Sequence, residues 1–450
     1  MSDTPQVSIS SRLERLGLPP YLIKLVALVI ISYYLSAYSL TGINYLMPSL
    51  SKQFELSPVQ SGYISSIVFV TMFLGAFIGG LIADKIGRKP VLGCFMFIWG
   101  IGNILMGLAP SVTVIYIARL LIGIGLGGCV PPVSVLTSEM VPTAYRGKCI
   151  VACIAAMVFG QSSVGFLTYL LLPGIGWNGV SIVVGCLAAY GFVVLKAVPE
   201  SALWLASKGR HAEADKVMTK IENDIERTTG KTLPAPVEIK ASTSEKTVAP
   251  SDAQSAATIF SKPHMKSVLV VTVFELAQMA GFYGMTYWLT SFLVMKGITI
   301  TSSIGYASSI CLGGLPAWFF VTYLVDKVGR RLGTVIMALL TAVTVYFYGA
   351  SATIGVLIVT GLLFMFSQNG YNMAMLVFIT EIWPTHLRAQ GRGYAQACGR
   401  VGSFLGPTLV GYILAAGYSS MTVMYVFVGL AVFGALVVLL FGQETKGQVF

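Results

Sequence analysis

Residues 80–89 read GLIADKIGRK, and residues 322–331 read TYLVDKVGRR. The charged core of the first, Asp84 to Lys89, returns at Asp326 to Arg331, 242 residues later. A second pair keeps the same spacing: SEMVPTAYRG at 138–147 returns as TEIWPTHLRA at 380–389. Two unrelated polar loops sharing one offset indicate a duplicated unit, and each of these loops follows a long apolar run.

Composition identifies the solvent of those runs. The 450 residues are 55% hydrophobic and 10% charged, with a mean hydropathy of +0.79, too apolar for a water-soluble globular chain. Crossing the bilayer takes about 20 mostly apolar residues. Twelve such stretches are centred near residues 36, 70, 100, 124, 159, 187, 280, 314, 340, 366, 404 and 431. A β-barrel would show short alternating segments instead. The reading is an all-α integral membrane chain with twelve transmembrane helices in two six-helix pseudo-repeated halves. A polar stretch divides the halves, giving an N-terminal segment (1–20), a first half (21–198), a linker (199–266) with an amphipathic helix over 201–228, a second half (267–441) and a tail (442–450). The Thr/Ser/Ala/Pro/Lys-rich part of the linker, 231–258, is expected to be flexible.

The net charge of +11 follows from topology rather than from an acidic partner. Among 29 Lys and Arg, Lys52 and Lys296 fall on one side, and Arg119 and Arg400 lie well inside spans. All the others lie in the N-terminal segment, the even-numbered loops, the linker and the tail, which places both termini and the linker in the cytoplasm. No separate basic domain remains to bind nucleic acid. Residues 1–20 are polar, with no cleavable signal, no Asn-x-Ser/Thr sequon occurs, and the outward loops are short. A multi-pass protein of a bacterial inner membrane, monomeric among its lipids, is expected. The seven cysteines (Cys94, Cys129, Cys149, Cys153, Cys186, Cys311, Cys398) lack metal-site spacing. His211, His264 and His386 have no nucleophile or metal constellation around them, so neither an enzyme nor a cofactor is expected.

The loop at 80–89, the run RLLIGIGLG at 119–127 and PESALWL at 199–205 resemble the major facilitator superfamily over nearly the whole chain. Pro199-Glu200-Ser201 and Glu444-Thr445-Lys446-Gly447 narrow the resemblance to sugar porters and their relatives, the organic ion transporters and aromatic-acid:proton symporters. The resemblance implies secondary active or facilitative transport of a small solute by alternating access, with its site near the midplane between the halves. It also favours a gating role for Asp84, Arg88, Glu139 and Arg146 in one half and Asp326, Arg330, Glu381 and Arg388 in the other, joined by Glu200 and Arg210. Their alternative role is to set topology alone.

Ionisable groups inside a membrane are costly and are candidates for function. Arg119, Glu275 and Arg400 are the three well within spans. Glu275 and Arg400 lie at similar depth and carry opposite charges, so one reading is a structural pair. The other makes Arg400 the docking cation for an organic anion, because its planar fork matches a carboxylate. Gln396, Arg400, Ser403 and Pro407 share one helical face, and this stretch resembles span eleven of the organic anion branch. An apolar chamber with a few polar groups is expected around it, supplied by Gln278, Phe282, Tyr283, Tyr287 and Trp288 on span seven, Gln368, Tyr371 and Asn372 on span ten, Gln161 on span five, and Tyr34, Tyr38 and Asn44 on span one. The acidic Phe-Phe-Asp-Gly-Tyr-Asp pattern of the aromatic-acid symporters, which usually follows a segment like Arg12-Leu-Glu-Arg15-Leu-Gly, is here YLSAYS at 34–39, with Ser36 and Ser39 in place of the acids. Proton coupling, where present, then falls to Glu275, while Arg119 loses its usual neighbour. The rival readings are a sugar or polyol carrier, an anion exchanger or facilitator, drug efflux, and a non-transporting nutrient sensor.

Overall fold

Residues that are apolar over four or more turns have one stable conformation in hydrocarbon: the helix, which satisfies every backbone polar group internally. The computed structural model describes residues 8–235 and 258–446, so part of the Thr/Ser/Pro-rich linker, the first seven residues and the last four lie outside it. Among the described residues there is no strand. The helices are α1 (Ile9–Glu14), α2 (Pro20–Phe54), α3 (Pro58–Ile86), α4 (Arg88–Gly107), α5 (Val112–Glu139), α6 (Thr143–Leu187), α7 (Tyr190–Ala197), α8 (Ala202–Ser207), α9 (His211–Thr229), α10 (Met265–Met295), α11 (Ile300–Cys311), α12 (Ala317–Val328), α13 (Arg330–Ala350), α14 (Ile354–Glu381), α15 (Arg388–Ala415) and α16 (Ser420–Phe441).

Among the described residues ten stretches are long and apolar enough to cross a membrane. One of them, Thr143–Ala197, has 55 residues and holds two spans, divided where Gly176 takes φ 66° and ψ 177°. The remaining span, α15, has 28 residues but a more polar sequence, because it carries Arg388, Arg392, Gln396 and Arg400. The twelve-span count follows. Phe319, 84% exposed, and Leu170, 73% exposed, exemplify the many large apolar side chains that face outward, as lipid contact requires. The linker's amphipathic stretch is two helices rather than one. Gly209 at φ 74° ends α8 and restarts the chain as α9, because a left-handed residue cannot continue a right-handed turn.

The described residues fall into two compact units, one drawn from Met1–Leu40, Thr71–Gln161 and Ser181–Ala249, the other from Thr41–Val70, Ser162–Val180 and Pro250–Phe450. In the first, small residues let backbones touch: a Cβ on Gly127 would stand 2.0 Å from the Met72 carbonyl, and one on Gly125 2.4 Å from the Trp99 nitrogen. The glycine run of span four is thus a helix-packing surface, the usual source of cohesion where lipid removes the hydrophobic drive between helices. In the second unit, Gly402 and Gly406 of α15 do the same against Leu276 and Ala280 of α10.

Candidate functional site

In the first unit the loop after α3 is fixed by carboxylates. Arg88 pairs with Asp84 at 3.3 Å and with Glu139 at 3.4 Å. Glu200 accepts the backbone N–H of Arg88 at 3.1 Å and of Lys89 at 3.3 Å, so it caps α4. Gly87, at φ 112°, leaves it room: a Cβ there would lie 2.2 Å from the Glu200 carboxylate. Trp204 donates to the Asp84 carbonyl at 3.3 Å, and the guanidiniums of Arg88 and Arg210 both lie over its ring.

The second unit repeats the arrangement. Arg330 pairs with Asp326 at 3.3 Å and with Glu381 at 2.9 Å. The place of Glu200 is taken by Glu444, which accepts the N–H of Arg330 at 2.9 Å and of Arg331 at 3.2 Å. The Thr445 hydroxyl donates to Glu381 at 2.7 Å. In the sequence Glu444 and Thr445 stand out only as part of the family-like motif at 444–447. Glu200-Ser201 and Glu444-Thr445 stand 244 residues apart, off the 242-residue register, but an acid followed by a hydroxyl after the last span of each half was a usable signal. Arg146 and Arg388 do not join these networks among the described residues. Arg388 turns its Nε to the Trp383 carbonyl at 3.3 Å, and Arg146 Nε is buried without a hydrogen-bond partner.

The mid-span residues separate into groups. In the first unit Arg119 is fully buried. Tyr34 and Tyr38 meet hydroxyl to hydroxyl at 2.8 Å, and Gln161 is half-buried. Ser36 donates to the Ser32 carbonyl at 2.9 Å, while Ser39 accepts from Asn103. The two serines are therefore absorbed into helix packing.

In the second unit, α10, α13, α14 and α16 enclose a cavity of about 10 Å³ whose walls include Gln278, Thr341, Gln368 and Tyr371, with room for about one water. Gln278 is 2% exposed and both amide atoms lack a hydrogen-bond partner; the Tyr371 hydroxyl lacks one as well. Tyr287 belongs to an aromatic cluster with Phe69 and Tyr283, each at 5.5 Å between centroids. Phe282, Asn372 and Arg400 are half-buried, and Gln396, one turn from Arg400, is exposed. The expected common face of α15 divides. Ser403 is buried and donates to the Gly399 carbonyl at 2.7 Å, and the Pro407 carbonyl accepts from Trp288 at 3.1 Å.

Glu275 is 5% exposed and its Oε2 has no hydrogen-bond partner. Its carboxylate lies over Gly399, where a Cβ would come within 3.1 Å of Oε2. Among the described residues no carboxylate is within ion-pair distance of Arg400. Glu275 and Arg400 are thus neighbours through Gly399 but not a closed pair.

Comparison with known proteins agrees with this architecture. A family model described as "Sugar (and other) transporter" matches residues 27–450. A niacin transporter of Acinetobacter baylyi is 30% identical over 98% of both chains, and a 4-hydroxybenzoate transporter of Pseudomonas aeruginosa is 24% identical over 94% of this chain and 93% of its own. The inward-open xylose transporter of E. coli superposes with a TM-score of 0.75 at 18% identity, covering 95% of this chain and 98% of that one. The chain belongs to the sugar (and other) transporter family of the major facilitator superfamily, and is a membrane transporter rather than an enzyme.

Proposed function

We propose that this transporter carries a small organic anion, an aromatic carboxylate foremost, across a bacterial inner membrane by alternating access, with Arg400 as the docking cation. The observation that carries the reading is a half-buried guanidinium on α15 with no carboxylate within ion-pair distance among the described residues. A cation within a membrane span whose neighbouring acid, Glu275, is not within ion-pair distance is costly, and a substrate carboxylate on its planar fork relieves that cost. Gln396, one turn before it on α15, is its proposed companion. Relatives named for niacin and 4-hydroxybenzoate, both aromatic carboxylates, support the same class. Both termini and the linker face the cytoplasm, by the distribution of Lys and Arg. The networks around Arg88 and Arg330 stiffen the helix ends within each half, so that each half can move as a body. Glu275 is the proton carrier if transport is proton-driven.

The test is a thermal-stability screen of purified protein with nicotinic acid, 4-hydroxybenzoate, D-xylose and choline, repeated on Arg400→Ala. The carboxylates should stabilise the wild type, by about 2.7 kcal/mol at a hundredfold excess over Kd, and leave Arg400→Ala unmoved. Xylose stabilising both forms equally would return the reading to a sugar carrier.

A further inference from the structure

The segment Arg12-Leu13-Glu14-Arg15 lies outside the membrane spans, yet every one of its side chains is engaged. Arg12 donates through Nε to Glu222 Oε1 at 3.0 Å and through Nη2 to Oε2 of the same carboxylate and to the Thr219 hydroxyl at 2.9 Å. Its Nη1 pairs with Asp215. Arg15 donates to Glu222 Oε1 from Nε at 3.2 Å and Nη2 at 2.6 Å, and from Nη1 to the Pro234 carbonyl at 3.0 Å. Glu222 is 7% exposed, so this is a largely dehydrated carboxylate held between two guanidiniums. Leu13 and Leu16 are buried with Ala202, Met218, Ile221 and Ile225 of α8 and α9.

Glu14 faces the other way. Its Oε1 accepts the backbone N–H of Thr143 at 2.9 Å and also the Thr143 hydroxyl. Thr143 opens α6, and the residue before it, Pro142, supplies no side-chain cap. Glu14 therefore provides from outside the helix the acceptor that α6 lacks, with a negative charge at the positive end of the helix dipole.

We infer that α1 is a strap joining the linker helix α9 to the start of α6, making the two one moving body, and that Glu14 is a positioning residue for α6. The Arg12/Arg15 grip on Glu222 holds the strap to α9, and Glu14 transmits that anchorage to the helix carrying Arg146 and Gln161. The two contacts are energetically linked because one six-residue helix bears both.

Amide hydrogen exchange on the intact protein tests this without any solute. Glu222→Ala should release the strap and raise exchange about fivefold, the worth of one lost cap, in the α6 peptide from Thr143 to Lys148 as well as in α9. Arg12→Ala, which retains Arg15, should do the same to a smaller degree and serves if Glu222→Ala does not fold. Glu14→Ala should deprotect the start of α6 and leave α9 protected, Glu14→Gln should keep most of the protection, and Asn223→Ala, on the exposed face of α9, should change nothing. Exchange that rises in α9 alone for both Glu222→Ala and Arg12→Ala would show two independent contacts and overturn the strap.

Discussion

The Glu444 carboxylate accepts the backbone N–H of Arg330 at 2.9 Å, and it does so across a residue that can only be glycine. Gly329 sits at φ 98°, and a Cβ on it would lie 2.6 Å from Glu444 Oε2. The pair caps α13 as Glu200 and Gly87 cap α4. Glu444→Ala is expected to cost about 0.5–2 kcal/mol of stability, the range for a lost N-cap. Gly329→Ala combines backbone strain with displacement of the same carboxylate and should cost at least as much. Thermal unfolding in detergent reads both; a Gly329→Ala melting point equal to wild type would mean the cap is dispensable.

Glu275 carries the opposite expectation. A buried carboxylate with a bare oxygen is a source of instability, so Glu275→Gln should raise the melting temperature while abolishing any accumulation driven by an imposed pH gradient. The two measurements separate cleanly. Proteoliposome uptake that stays pH-driven in Glu275→Gln would move proton coupling elsewhere, whatever the melting temperature does.

Within the second unit, α3 and α15 cross in backbone contact. A Cβ on Gly62 would stand 2.8 Å from the Pro407 carbonyl, and one on Gly411 2.5 Å from the Pro58 carbonyl. Beside them the hydroxyls of Ser66 and Thr408 meet at 2.9 Å, and those of Tyr63 and Tyr412 at 2.8 Å. Replacing Gly62 or Gly411 with Leu should force the crossing open. Labelling of Ser66→Cys by a membrane-impermeant maleimide would then speed up severalfold over the parent, and unchanged labelling would show that the helices can part without help.

The Glu222 carboxyl is held below the ordinary carboxylate range: burial opposes its charge, and the hydrogen bonds and charges of Arg12 and Arg15 overcome that opposition. A carboxyl that ionises more readily in the folded state adds stability above its unfolded value and loses it as pH falls through the folded one. Exchange protection of α9, corrected for intrinsic rates, should therefore be flat between about pH 8 and about pH 5 and decline below about 4.3, the unfolded glutamate value. A decline already complete at about pH 6 would point to a different titrating group.

The spans and their number could be read from the sequence, because apolar length and charge placement are local properties that add along the chain. The 242-residue repeat also marked Asp84, Arg88 and Glu139 together with their counterparts Asp326, Arg330 and Glu381, although only Asp84 with Arg88 and Asp326 with Arg330 share a loop; Glu139 and Glu381 belong to the second repeated loop, 51 residues on. Tertiary structure alone decided where mid-span side chains point. Span seven is apolar almost all round, so no amphipathic stripe announces which face Gln278 or Glu275 occupies. Packing settled it: glycines at 399, 402 and 406 draw α15 against α10, leaving Glu275 over Gly399, while Gln278, Gln368 and Tyr371 border a cavity inside their own bundle. The same limit hid Glu444 and the strap. Their partners lie 114 and about 210 residues away, and a contact over that separation exists only once the helices have found their neighbours.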